Sequence, residues 1–173
     1  MISSPAVSAP EPHPQLCCGH LPPESLAGLL ARYGLNLTWV DVDQPIPGSY
    51  WGPPEAGILG HTLYVRPDTP VHSALHETCH VICMDTHRRQ HLDTDAGGDD
   101  LEECGVCYLQ ILLADHLPGA TSARLCQDMD AWGYSFRLGS TQAWFHQDAT
   151  DARAWLQAEG LLTGNGEPVW RLR

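Results

Sequence analysis

"HSALHETCHVICMD", residues 72–85, gathers three histidines, a glutamate and two cysteines into one short stretch. His76 and His80 are four apart. On a helix that spacing separates them by only about 40° around the axis, so both imidazoles leave one face. Two ring nitrogens can then reach a single tetrahedral ion with bonds of about 2.0–2.1 Å. Glu77 lies about 100° from His76 by the same count, too far round to join easily as a ligand. It can instead flank an open coordination position and take a proton from a reacting water. The stretch therefore reads as two metal ligands, His76 and His80, and a general base, Glu77.

The segments on either side support a helix here. "DTPVHSALHETCHVICM" begins with helix-start chemistry, Asp68 or Thr69 as N-cap and Pro70 in the first turn. "THRRQHLDTDAGG" is polar and ends in glycines, which predicts a loop. "DDLEECGVCYLQILLADHLPG" is the strongest helix of the chain, capped by Asp99 or Asp100 and ended by Pro118-Gly119. Upstream, "PPESLAGLLARYG" predicts a helix, with Leu26, Leu29, Leu30 and Tyr33 at helical spacing. "LNLTWVDV" reads as a strand, "DQPIPGSYWGPPEAG" as a loop, and "GILGHTLYVRP" as one bent strand or two short ones. Two amphipathic stretches, "TSARLCQDMDAWG" and "DATDARAWLQAEG", precede a strand-like "PVWRLR". This order predicts an α+β fold, a small antiparallel sheet with helices packed on one face.

A catalytic zinc site needs a third protein ligand and an open position. A histidine six residues past His80, with a glycine between, would be the metzincin pattern. Cys83 and Thr86 occupy those positions, and His87 comes one residue late. A carboxylate on the next helix is the other option, and "DDLEEC" offers Glu102 and Glu103. On a helical wheel Glu102 falls within the apolar arc of Leu101, Gly105, Leu109, Leu112 and Leu113. Glu103 points with Gln110 toward the polar side. A carboxylate aimed into a core needs a partner, which favours Glu102 as the third ligand and keeps Glu103 as the alternate. A capping box, Asp99 with Glu102 three residues on, is the competing use of Glu102.

With a His-Glu-x-x-His helix followed by a glutamate-bearing helix, residues 25–117 resemble the gluzincin-type zinc metalloproteases. The nearest likeness is to the small ImmA/IrrE-like metallopeptidase domains. The second-helix pattern of that group is matched by Glu102, Gly105, Tyr108 and Leu112-Leu113, while Val106 stands where an Asn or Asp is expected. The resemblance implies a zincin-like domain, bound Zn2+ and a peptide or protein substrate. It also implies a downstream Tyr or His that hydrogen-bonds the oxyanion, for which Tyr134, His146, His87 and His91 are candidates. No spacing selects among them. His72, one turn before His76, is a candidate to support the site from behind.

Other clusters have simpler readings. Cys79, Cys83, Cys104 and Cys107 could form a rival cysteine site, but small apolar cysteines also suit a contact between two packed helices. Cys83 alone shares the face of the two histidines. Trp132, Trp144 and Trp155 read as packing for the C-terminal helices.

Composition limits the remaining options. The formal charge is −12, and all nine basic residues are Arg. That balance argues against nucleic acid and against an anionic membrane surface. Without lysine there is no Schiff-base chemistry. Residues 1–21 read as a flexible tail with tail cysteines Cys17 and Cys18, and residues 22–173 as one domain whose last third, from about 120, is helical. No apolar run is long enough for a membrane span, nothing at the N-terminus resembles a signal peptide, and the seven cysteines suit a reducing cytoplasm.

Two functions follow as expectations. The first is a zinc-dependent peptidase-like hydrolase. The second, from another class, is a zinc-stabilised interaction or regulatory domain without catalysis, which a close-fitting fourth protein ligand such as Cys83 or His87 would favour.

Overall fold

Two helices run through the core, and both are buried around nearly their whole circumference. In α2 (Val71–Cys83) only His76 and Glu77 are partly exposed. In α4 (Asp100–Ala114) ten residues are buried, polar Glu102 and Gln110 among them. The two pack against each other. Around them a computed structural model, which describes residues 14–173, places α1 (Ser25–Arg32), α3 (Thr86–Gln90), α5 (Ser122–Trp132), α6 (Thr141–Gln147) and α7 (Thr150–Ala158). The fold is α+β, with seven α-helices among the described residues and one small sheet. No described helix is long and apolar enough to cross a membrane.

The sheet is mixed rather than antiparallel. β1 (Asn36–Trp39), β2 (Gly57–Leu59) and β3 (Thr62–Val65) lie in the order β1-β3-β2. β2 and β3 form an antiparallel hairpin about Gly60-His61, whereas β1 runs parallel to β3. Apolar alternation records which side chains face inward and carries no information on strand direction, so the sequence left this open. Ile58, Leu63 and Val65 bury their side chains, and β2 and β3 both contact α2.

Several expected boundaries shift for identifiable reasons. The N-cap of α2 is Pro70, which has no side chain to cap with. Asp68 and Thr69 instead close the preceding turn: Asp68 pairs with Arg66, and Thr69 Oγ1 accepts from Arg66 N–H at 2.9 Å. Part of the expected loop after α2 forms the short helix α3, capped by Asp85, which accepts from Arg88 N–H. The C-terminal strand-like segment makes only an isolated bridge between Leu162 and Pro168.

Residues 16–19 of the segment expected as an N-terminal tail are tied to the fold. Residues 1–13 lie outside the described residues. From Leu16 to Gly19 the backbone is tied to residues 67–71, with Val71 N–H bonded to Leu16 O and Cys18 N–H to Thr69 O. Cys18 is a buried core residue, not a tail thiol. Cys79, Cys83 and Cys107 are likewise buried in the core and do not form a cysteine metal site. Gly105 on α4 is an enabling small residue, since a Cβ there would lie 2.6 Å from the Trp155 ring of α7.

Candidate metal centre

The one partly open spot on α2 is where His76 and Glu77 emerge, opposite the first turn of α4. His76 Nε2 and His80 Nε2 lie 3.0 Å apart. Glu103 closes the group, with Oε1 at 3.1 Å from His76 Nε2 and Oε2 at 3.5 Å from His80 Nε2. These three side chains form a group that could hold a metal ion, their donor atoms all within 4.8 Å of one another. A tetrahedral ion with bonds of about 2.0–2.1 Å spaces its ligand atoms roughly 3.3 Å apart. The observed spacing fits that edge length.

The third member is Glu103, not Glu102. Glu102 is buried, as its place in the apolar arc implied, but its partner is a pair of guanidinium groups. Arg88 Nη1 and Nη2 donate to its two oxygens at 2.8 and 3.0 Å, and Arg173 Nη1 lies 3.5 Å away. The capping interaction is present on the Asp99 side, where Asp99 Oδ1 accepts from Glu102 N–H at 2.9 Å. The side of α4 that looked polar is the side that meets the α2 histidines.

Gln110 shows the same inversion. It is fully buried, and its Oε1 lies 2.7 Å from His76 Nδ1. Its Nε2 donates to His72 O at 3.2 Å, which fixes the orientation of the amide. The Oε1 is therefore the acceptor, His76 Nδ1 must carry the proton, and Nε2 is left for the site. Sequence reasoning missed this residue because it had been assigned to solvent. Replacing Gln110 with Leu removes the acceptor at nearly constant size. It should weaken metal binding by about 10–100-fold in a chelator competition titration, and Gln110→Glu, which keeps the acceptor, should recover part of the loss.

Electrostatics suit a cation. Burial raises the carboxyl of Glu103, but hydrogen bonds from His76 and His80 outweigh it and hold Glu103 below the usual carboxylate range. Burial opposes a charge on His76, yet Tyr134, Cys107 and Glu103 around the ring hold its pKa well above that of ordinary imidazole. Glu77 is not in the ligand group. Burial is the largest influence on its carboxyl and pushes it up, aided by Glu55 and Glu103 and opposed by His80 and His76.

The group opens into a cleft of about 860 Å³ lined by His76, Glu77 and Glu103. A smaller hollow of about 180 Å³ shares those three residues and Trp51. The two therefore adjoin at the candidate site.

Of the candidates for the oxyanion, Tyr134 lines the cleft, with its ring centroid 5.8 Å from that of His76. Burial raises its pKa and keeps the hydroxyl protonated. His72 sits behind it, buried, with Nδ1 at 3.4 Å from the Tyr134 hydroxyl and a pKa lowered to about 4 chiefly by burial. His146 is exposed on α6 and lines neither hollow, and His87 and His91 pack on each other at the surface. Cys83 is fully buried and absent from the ligand group, as is His87, so no fourth protein ligand joins the group among the described residues. Trp144 is buried and Trp155 packs on the core, whereas Trp132 is 42% exposed and forms part of the cleft wall. No family model, curated protein or solved structure matches the chain.

Proposed function

We propose that the chain is a zinc-dependent peptidase-like hydrolase with a zincin-like centre, similar in its two histidines and downstream glutamate to the gluzincins. The observation that carries this reading is the convergence of His76, His80 and Glu103 beneath an open cleft that Glu77 also lines. Zinc is the natural occupant of a His2Glu donor set, and when bound it acts as a Lewis acid on a carbonyl and lowers the pKa of water.

The protein residues do the rest. His76, held by Gln110, and His80 present Nε2, and Glu103 supplies the carboxylate. Glu77, whose raised pKa brings it toward the working range of a base, accepts the proton of the attacking water and passes it to the leaving amine. Tyr134 is the one oxyanion candidate that lines the cleft, and its neutral hydroxyl is the donor assigned to the negative charge developing on the carbonyl oxygen. The absence of a fourth protein ligand among the described residues supports this enzyme reading over an interaction domain whose metal is fully enclosed.

The test is removal and return of the metal. Protein stripped by chelator should stop cleaving a mixed peptide library and regain cleavage with stoichiometric zinc. Cleavage indifferent to chelator, or none at all from the zinc-loaded protein, would remove the reading.

A further inference from the structure

The cleft next to the candidate centre has a chemical character that the proposed reaction does not require. Four carboxylates line the larger hollow, those of Glu55, Glu77, Asp100 and Glu103, and no arginine lines either hollow. Glu103 belongs to the ligand group and Glu77 to the chemistry, which leaves Glu55 and Asp100. Neither forms an ion pair among the described residues.

Asp100 is exposed at the start of α4 and is well solvated. Glu55 is different. It is only partly exposed, and its Oε1 accepts a 3.0 Å hydrogen bond from Trp132 Nε1, which holds the carboxylate on the cleft wall. Burial raises its carboxyl, against the opposing effects of Trp132 and His76. A partly desolvated carboxylate held only by a neutral indole N–H, and in no ion pair among the described residues, gains from a cationic ligand.

The aromatic lining is a second and independent pointer to the same chemistry. Trp51 is 79% exposed where both hollows meet, with Tyr50 edge-on to it at 4.9 Å, and Trp132 carries the Glu55 contact. Indole faces attract ammonium and guanidinium groups, with Trp the strongest of the aromatic side chains. A low-dielectric cleft of one sign, in a chain of formal charge −12, also focuses its field on incoming cations.

We infer that the cleft selects substrates bearing a positive charge beside the bond to be cut, received by Glu55 and flanked by the indoles of Trp51 and Trp132. This rests on the peptidase reading for the reaction, while the cation preference itself stands on the cleft. The charge can come from a basic side chain or from a free amino terminus.

Four small amides separate the possibilities. Arginine amide carries both charges, N-acetyl-arginine amide only the guanidinium, leucine amide only the amine, and N-acetyl-leucine amide neither. Their dissociation constants are measured by calorimetry on the full-length Glu77→Gln protein, with and without added zinc, so that binding is read without turnover. Arginine amide should bind about tenfold or more tightly than N-acetyl-leucine amide. The singly charged amide that keeps the advantage identifies the source of the cation. Glu55→Gln, an isosteric change at a partly exposed position, should erase the difference while leaving N-acetyl-leucine amide unaffected. Equal binding of all four, binding of none, or an advantage that survives Glu55→Gln would overturn the inference. A cation preference in a protein that cuts no peptide would instead count against the peptidase reading alone.

Discussion

Glu77→Gln should leave the metal in place and remove peptide cleavage. Gln matches Glu in shape but has no negative oxygen to accept a proton, so it removes the base with the least disturbance of the cleft. Glu77 is outside the group formed by His76, His80 and Glu103, which is why metal content should not change. General-base catalysis contributes typically about 10²–10⁴-fold, and a fall in kcat of that order is expected. The readout is the initial rate on a fluorogenic peptide alongside zinc per chain. Full activity in Glu77→Gln would remove Glu77 from the chemistry.

Glu102→Ala is expected to do the reverse, keeping the metal and damaging the fold. The carboxylate is 5% exposed and is the only acidic side chain paired with Arg88 among the described residues, while Arg173 also approaches it. Removing one partner from a buried ion pair leaves its charges uncompensated and typically costs about 3–5 kcal/mol. Arg88 and Arg173 are 33% and 28% exposed and can recover some hydration, which puts the loss near the lower end, about 3 kcal/mol. At this chain length that corresponds to a melting temperature roughly 6–12 °C lower. Arg88 also donates to Ala96 O and Gly97 O, so the loop entering α4 should loosen with it. Unchanged melting together with loss of zinc would return Glu102 to the metal and Glu103 to the surface.

These contrasting roles mark where the sequence was legible. The His76–His80 pairing follows from helical spacing alone, and α2 and α4 are long, strongly patterned segments that the structure reproduces. The choice between Glu102 and Glu103 was not legible from a helical wheel. A wheel assumes one apolar face toward a core and one polar face toward water. α4 has neighbours on both sides, so its polar residues Glu103 and Gln110 face the histidines, and its inward-pointing Glu102 meets arginines. One of those arginines, Arg88, sits on a short helix whose polar sequence reads as a loop. The other arrives from a distant part of the chain, a contact that no local pattern encodes. Tyr134 is of the same kind. It reaches the cleft because α5 ends at Gly133, and spacing from the motif says nothing about it.

The order of the first residues was hidden for a related reason. Residues 16–19 are rich in cysteine and glycine without periodicity, yet their backbone pairs with residues 67–71 and Cys18 fills the core. Backbone pairing leaves little trace in side-chain pattern.

Metal content by elemental analysis, measured together on the wild type, Glu103→Ala and Glu102→Ala, tests the proposed centre most directly. One zinc per chain is expected in the wild type and in Glu102→Ala, with a large loss in Glu103→Ala. A wild type purified without metal that takes up no zinc, or a Glu103→Ala protein that keeps its zinc, would contradict a centre built from His76, His80 and Glu103.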